Sequence, residues 1–365
     1  MADVAVRNGF ERYDRSALRE SLNEMISVLG GWPSRISQGA RVLLKPNMLA
    51  AKNPDRGITT HPILLAAMAD LLKDRGCTVA VGDSPGGAVR GVERYWKNCG
   101  YTDLEKDPGV ELVNFEGSGS VEHTVDGFIY HISSAVLEYD AVINMCKFKT
   151  HAYARLTNGV KNMFGVIPGL NKVVIHSHAL RPKDFAVHIA RIYSLVRTDL
   201  TVMDALLSMD GKGPSTDGNP RWEGVLGVST DAISLDMVAS KMAGLHPEEL
   251  DTTREARKLG LGKPYSEISV DGWHDFVDFD IPSPSIYNLI PPFLGAPLRA
   301  ILRRAPCSNE NCTGCGFCAD SCPVDAIVIE NGRAVMSRKH CIMCLCCHEL
   351  CPENAISIRL PFGKG

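Results

Sequence analysis

No stretch of this chain reaches the roughly 18 consecutive apolar residues that a membrane-spanning helix needs. An integral membrane protein is therefore not expected. The nearest approach, IYNLIPPFLGAPLRAIL at 286–302, is broken by Pro291, Pro292 and Pro297 and reads as a linker packed along the main domain. Charge of one sign is also scarce: 39 Lys and Arg stand against 42 Asp and Glu, a net −3, which excludes the overall basic footprint of a nucleic-acid binder. The opening MADVAVRNGFERYDR carries charges where a secretory leader needs an apolar run, so a cytoplasmic protein is expected. Neither G-x-G-x-x-G nor the P-loop pattern G-x-x-x-x-G-K occurs, and with them go the recognisable nicotinamide, flavin and nucleoside triphosphate fingerprints.

Cysteine is plentiful: 13 residues, eight of them in a repeat. Cys312, Cys315, Cys318 and Cys322 precede Pro323, and 29 positions later Cys341, Cys344, Cys347 and Cys351 precede Pro352. Each half reads C-x2-C-x2-C-x3-C-P, the bacterial ferredoxin spacing in which the fourth cysteine of one half ligates the cluster of the other. By that rule Cys312, Cys315, Cys318 and Cys351 hold one 4Fe–4S cluster, and Cys341, Cys344, Cys347 and Cys322 hold a second. Zinc pairs separated C-x2-C groups or uses His, and it does not predict the repeated CP ending. The 29-residue offset places Cys346 on Phe317, so Cys346 is not a ligand. Oxygen-sensitive clusters and the lack of a disulfide pattern indicate a reducing, anaerobic setting.

Ahead of the repeat, helical and extended patterns alternate. Apolar runs at 41–44, 78–81, 110–115, 141–145, 200–203 and 224–229 read as buried strands, and helical patterns cover 16–29, 182–197, 231–243 and 247–259. A further helix begins near Pro62, and 117–139 reads as a hairpin. This predicts an α/β domain with a largely parallel sheet flanked by helices over 1–280. A Pro-rich linker (281–306) and a small α+β two-cluster ferredoxin domain (307–365) follow.

Several strands are followed by polar groups: Lys45 and Asn47; Asp83, Ser84 and Gly86 in GDSPGG; Lys147, Lys149 and His151 in CKFKTH; Asp204 after LTVM. Ligands of open α/β sheets bind outside the strand carboxyl ends, so these groups define a crevice. Lys147, Lys149, Lys161 and Lys45 make it cationic, suited to a small phosphate or carboxylate. His151, whose ordinary pKa lies near neutrality, is the candidate proton carrier. Asn158, Lys161 and Asn162 share a helical face in TNGVKNMFG, with Thr157 a candidate cap. Asp83 is placed to hold a lysine or a ligand hydroxyl. Asp204 and Asp210 bracket a Gly-rich loop that could hold Mg2+ or simply cap turns. His61 before Pro62 reads as structural or catalytic, and His176 with His178 lacks companion metal ligands.

KPN, Thr60-His61-Pro62, GDSPGG, KFKTH, TNGVKNMFG, MDGKGP and the ferredoxin tail together resemble the domain of unknown function 362 family in its ferredoxin-fused form. The resemblance spans about 40–245 and 307–358. It implies an iron–sulfur protein with no settled reaction. The leading expectation is an iron–sulfur oxidoreductase that takes electrons from an external donor, such as a ferredoxin or a reductase. It would pass them singly from two clusters to an anionic organic substrate, with a flavin not excluded. The alternatives are an electron carrier docking a partner enzyme, and a cofactor-maturation or phosphate-handling transferase.

Overall fold

The computed structural model describes residues 1–85, 91–151, 154–169, 171–179, 181–214, 218–283, 305–322, 324–342 and 345–359. Gly86, Cys344 and the apolar 286–302 segment lie outside them.

Fifteen strands are described: β1 (Val4–Arg7), β2 (Arg41–Pro46), β3 (Thr78–Asp83), β4 (Val110–Asn114), β5 (Ser120–Val125), β6 (Phe128–Ser133), β7 (Ala141–His151), β8 (Arg155–Thr157), β9 (Leu200–Gly211), β10 (Gly218–Ser229), β11 (Val270–Asp271), β12 (Ala305–Ser308), β13 (Ile327–Glu330), β14 (Arg333–Met336) and β15 (Ile356–Arg359). The main sheet runs β11-β1-β10-β9-β7-β2-β3-β4, with β8 hung on β7. The pairs β9–β7, β7–β2, β2–β3, β3–β4 and β1–β11 are parallel, and β10 enters antiparallel to both β9 and β1. The α/β, largely parallel reading therefore holds, and the expected hairpin is β5–β6.

The helices of the main domain are α1 (Arg15–Val28), α2 (Pro62–Asp74), α3 (Glu93–Asn98), α4 (Ser134–Leu137), α5 (Gly159–Asn162), α6 (Asn171–His178), α7 (Pro182–Leu195), α8 (Ala232–Met242) and α9 (Asp251–Lys258). Alternation along the strands sends side chains to opposite faces. Val42, Leu44, Ile143 and Met145 join the core under α1 and α2, whereas Leu43 and Val142 join a second core with Phe185 and Ile189 of α7. Two-sided burial is why these strands read as continuous apolar runs rather than as alternating ones.

Two strands outrun their sequence signals. The apolar AVINM continues as strand through CKFKTH to His151, every residue buried, and LTVM continues through Asp204 to Asp210 and Gly211. Asp204 and Asp210 thus lie on one strand rather than bracketing a loop. Their partners explain it, because the buried polar groups on one strand satisfy those on its neighbours and the ladder need not end.

The tail repeats at the backbone level. Gly316 (φ 80°) and Leu345 (φ 64°) are both left-handed, as are Asp325 (φ 48°) and Asn354 (φ 54°), each pair separated by the same 29 positions. Strand β12 pairs with β15, and β13 pairs with β14.

Candidate functional site

The predicted lysines split between the two faces of the sheet. Lys147 shares its face with Met145, toward α1. Its Nζ reaches Asp204 Oδ2 at 2.9 Å and Tyr13 Oη at 3.0 Å, and the Tyr13 hydroxyl donates to Asp204 Oδ1 at 2.8 Å. Lys147 and Asp204 are both fully buried. The second Asp204 oxygen also accepts the His61 amide at 3.0 Å, and the Tyr13 ring stacks on His61 at 3.7 Å. His61 itself caps α2, its Nδ1 accepting from Ile63 N at 3.2 Å. The structural role read from His61-Pro62 is present.

Lys45 follows the parity of Leu43 and meets Asp83 Oδ1 at 2.8 Å, so Asp83 does hold a lysine. Gly165 lies directly over this pair: an added Cβ would stand 2.0 Å from Asp83 Oδ1 and 2.6 Å from Lys45 Nζ. Only a residue without a side chain fits there. Lys149 donates to Asn47 Oδ1 at 3.0 Å and to the Ile58 carbonyl. An amide chain then runs inward, from Asn47 Nδ2 to Asn162 Oδ1 (2.8 Å) and from Asn162 Nδ2 to Asn144 Oδ1 (2.7 Å). Asn158 accepts from the Cys146 thiol at 3.0 Å, and its own Nδ2 is buried without a partner.

Thr157 does not cap α5. Its hydroxyl is buried and unbonded, while Asp236 of α8 accepts the Gly159 and Val160 amides at 2.7 and 3.0 Å. Burial outweighs those amides and pushes Asp236 up to about 7. Asp210 sits apart, paired with Arg221 at 3.3 Å.

His151 is buried, and its Nδ1 accepts the Ala154 amide at 3.1 Å, so the neutral ring carries its proton on Nε2. Burial, then Lys161, Lys149 and His176, hold it well below the usual imidazole range. His176 behaves likewise: burial and then Lys161 and Lys172 bring it to about 3. Its ring stacks on Phe185 at 4.8 Å, and the Lys161 Nζ lies 6.0 Å from the Phe185 ring. A lowered folded pKa means the unfolded chain binds more protons, so stability is lost as pH falls from about 6.5 toward 3. His176→Phe keeps the stacking surface. It should flatten the acid limb of urea stability by about 1.4 kcal/mol per pH unit in that window.

Sequence reasoning missed Lys172 and Glu116. The Lys172 Nζ, on α6, donates to the Ser84 carbonyl at 2.5 Å and to Ser84 Oγ, and Ser84 Oγ in turn donates to Glu116 Oε1. No local pattern brings 84, 116 and 172 together; only the sheet order does. Asp236 did leave a signal, as a carboxylate on a helix buried all round.

In the tail, one hollow is lined by Cys312, Cys315, Cys318 and Cys351, and another by Cys322, Cys341 and Cys347. The sulfurs of Cys312, Cys322 and Cys351 accept the amides of Ala334, Ala326 and Ala355 at 3.4, 3.2 and 3.2 Å. Cysteine sulfurs that line a hollow and accept backbone amides are the donor set an iron–sulfur cluster takes. Tail and main domain touch: Lys52 Nζ donates to the Pro352 carbonyl at 2.7 Å and to Asn354 Oδ1 at 3.3 Å, and Arg94 lies 5.0 Å from the Phe317 ring.

An α/β domain carrying a buried polar centre, joined to a cysteine-rich tail of this kind, defines an iron–sulfur electron-transfer protein. Residues 308–328 match a 4Fe-4S binding domain, and residues 42–241 match the family described as Domain of unknown function (DUF362). A relative from Synechocystis sp., named Thylakoid-associated protein sll1697, is 34% identical over 262 residues, 71% of this chain and 80% of that protein. The chain belongs to the DUF362 family. The lactate racemase apoprotein from Thermoanaerobacterium thermosaccharolyticum aligns with a TM-score of 0.40 at 10% identity. That alignment covers 62% of this chain and only 54% of the racemase, and so loose a likeness carries no argument. Among the described residues no helix is long and apolar enough to cross a membrane.

Proposed function

We propose that the protein is an iron–sulfur oxidoreductase acting on a small anionic organic substrate. The observation that carries this reading is contiguity. Lys52 of the main domain donates to the Pro352 carbonyl at 2.7 Å and to Asn354 Oδ1 at 3.3 Å in the tail, and Arg94 lies 5.0 Å from the Phe317 ring. Cys312, Cys315, Cys318 and Cys351 would hold one 4Fe–4S cluster, and Cys322, Cys341, Cys344 and Cys347 a second. When bound, such clusters supply electrons one at a time.

The chain's own residues do the rest. Lys149 and Lys161 set a positive field around His151, a field suited to a carboxylate and to charge developing on it during reduction. An anion seated there would raise the depressed pKa of His151 and let the ring donate a proton. Lys147, tied to Asp204 and Tyr13, holds the strand in place and does not touch substrate. This reading gives Lys147 a structural part, where its place after an apolar run suggested a part in the cationic crevice.

The test is anaerobic reoxidation of the dithionite-reduced protein by a panel of unsaturated and aromatic carboxylic acids. One class should reoxidise the tail, and Lys161→Ala and His151→Ala should each slow that step at least about 100-fold with the cluster spectra unchanged. Reoxidation by no acid, or at full rate in both variants, would sink the reading in favour of an electron carrier.

A further inference from the structure

Glu116, Ser84 and Lys172 form a continuous hydrogen-bonded chain that leads from a half-buried carboxylate to a buried lysine. Glu116 is half-buried, Ser84 is 3% exposed and Lys172 8% exposed. The hydroxyl between them both donates, to Glu116 Oε1, and accepts, from Lys172 Nζ. A hydroxyl so placed can hand a proton on in either direction. The inner end is held in position by three acceptors, the Ser84 carbonyl and hydroxyl and the Pro85 carbonyl at 3.5 Å. The turn itself is fixed by the Ser84 amide, which donates to Asp83 Oδ1 and to the Gly165 carbonyl.

We propose that Glu116–Ser84–Lys172 is a proton relay, and that Lys172 takes up a proton from solvent when the tail is reduced. The proposal rests on the functional reading only in needing the tail to hold its iron–sulfur cluster; it needs no substrate. The step balances. One electron comes from an external one-electron reductant. The Glu116 carboxylate takes a proton from water, leaving hydroxide in solvent, and hands it to Ser84 Oγ as the Ser84 hydroxyl proton goes to the neutral Lys172 amine, which returns Glu116 to its carboxylate. The products are a tail one electron richer, an ammonium at Lys172 and one hydroxide in solvent.

The surroundings favour such coupling. Burial brings Lys172 down to about 8, against the opposing pull of Glu116, Asp83 and Cys346, with Lys45 adding to the depression. His176, on the same helix, is held neutral. Extra negative charge in the tail therefore raises the affinity of Lys172 for a proton, and by reciprocity the proton raises the affinity of the tail for an electron.

The experiment is a set of EPR-monitored redox titrations of the iron-loaded protein from pH 6.5 to 10. Below about 8 Lys172 is already charged in both states, so the potential should be flat. Above it, reduction draws in a proton and the potential of the nearer cluster should fall by up to 59 mV per pH unit. Lys172→Met should be flat throughout at a lower potential. Lys172→Arg, charged at every pH, should be flat at the acid plateau of the wild type. Ser84→Ala should keep the equilibrium slope but slow proton uptake at least tenfold, read with an indicator dye in stopped flow. A wild type without slope, a slope surviving in both Lys172 variants, or unchanged uptake in Ser84→Ala would each overturn the proposal. Loss of substrate-dependent reoxidation alone bears on the functional reading and leaves these titrations intact.

Discussion

Replacing Cys351 with alanine should remove iron from the half of the tail that does not contain it in sequence. Cys351 lines the hollow of Cys312, Cys315 and Cys318, and Cys322 lines that of Cys341 and Cys347. On the two-cluster reading, two cubanes would bring about eight irons per chain. Cys351→Ala and Cys312→Ala should each leave about four, and the Cys312/Cys351 double variant should lose no more than either single change. The Cys312/Cys322 double variant should lose nearly all. Residues that act as one unit give this non-additivity, and independent units add. Cys346→Ala should keep the full complement. Iron and sulfide analysis on anaerobically reconstituted protein reads all of these. If Cys312/Cys351 lost both clusters while Cys312/Cys322 lost one, each half would be using its own fourth cysteine, and the crossed assignment would be wrong.

The second large effect concerns the pair beneath the sheet. Asp204→Asn leaves the Lys147 ammonium fully buried with a neutral partner and should cost about 3–5 kcal/mol in urea unfolding. Tyr13→Phe removes two bonds to charged groups from the same cluster, one from Lys147 and one to Asp204, and should cost at least about 1.5–3 kcal/mol. The apolar pair Lys147→Met with Asp204→Leu should recover most of the Asp204→Asn loss, because two desolvated charges disappear together. A double variant no more stable than Asp204→Asn would mean that the bonds to Tyr13 and the His61 amide, rather than charge burial, dominate. Intrinsic tryptophan fluorescence follows the transition without reference to the iron content.

Much of this architecture is legible in the residues. The strand runs, the β5–β6 hairpin, the starts of α1 and α2 and the cysteine spacing each follow from local rules. What escapes is where strands stop. Lys147, Lys149 and Asp204 look like exposed strand ends because charge ordinarily marks solvent. Here each finds its partner on another element: Asp204 on β9, Asn47 and Ile58 after β2, and Tyr13 just before α1. A single sequence carries no record of such pairings between distant segments. The same holds for Lys172 and Glu116, 56 positions apart and joined through one serine. The α5 cap shows the limit differently: Thr157 was the local candidate, and a carboxylate some 80 positions on took its place.

The two left-handed positions in the tail are not equivalent. Gly316 adopts its backbone without strain, whereas Leu345 carries a side chain through a conformation that disfavours one. Leu345 lines the second hollow with Ile342, Met336, Ile327 and Val324, while Gly314, Gly316, Thr313 and Glu353 line the first. Phe317, Ile329, Ala334 and Ile356 also line the first hollow, so both are walled mostly by hydrocarbon, and Lys52 donates to Pro352 beside the first. A greasy wall opposes added negative charge, and a nearby ammonium welcomes it. On the two-cluster reading, a glycine-built wall on one side and a leucine-built wall on the other would give the two cubanes unequal potentials, a stepped pair rather than a symmetric store.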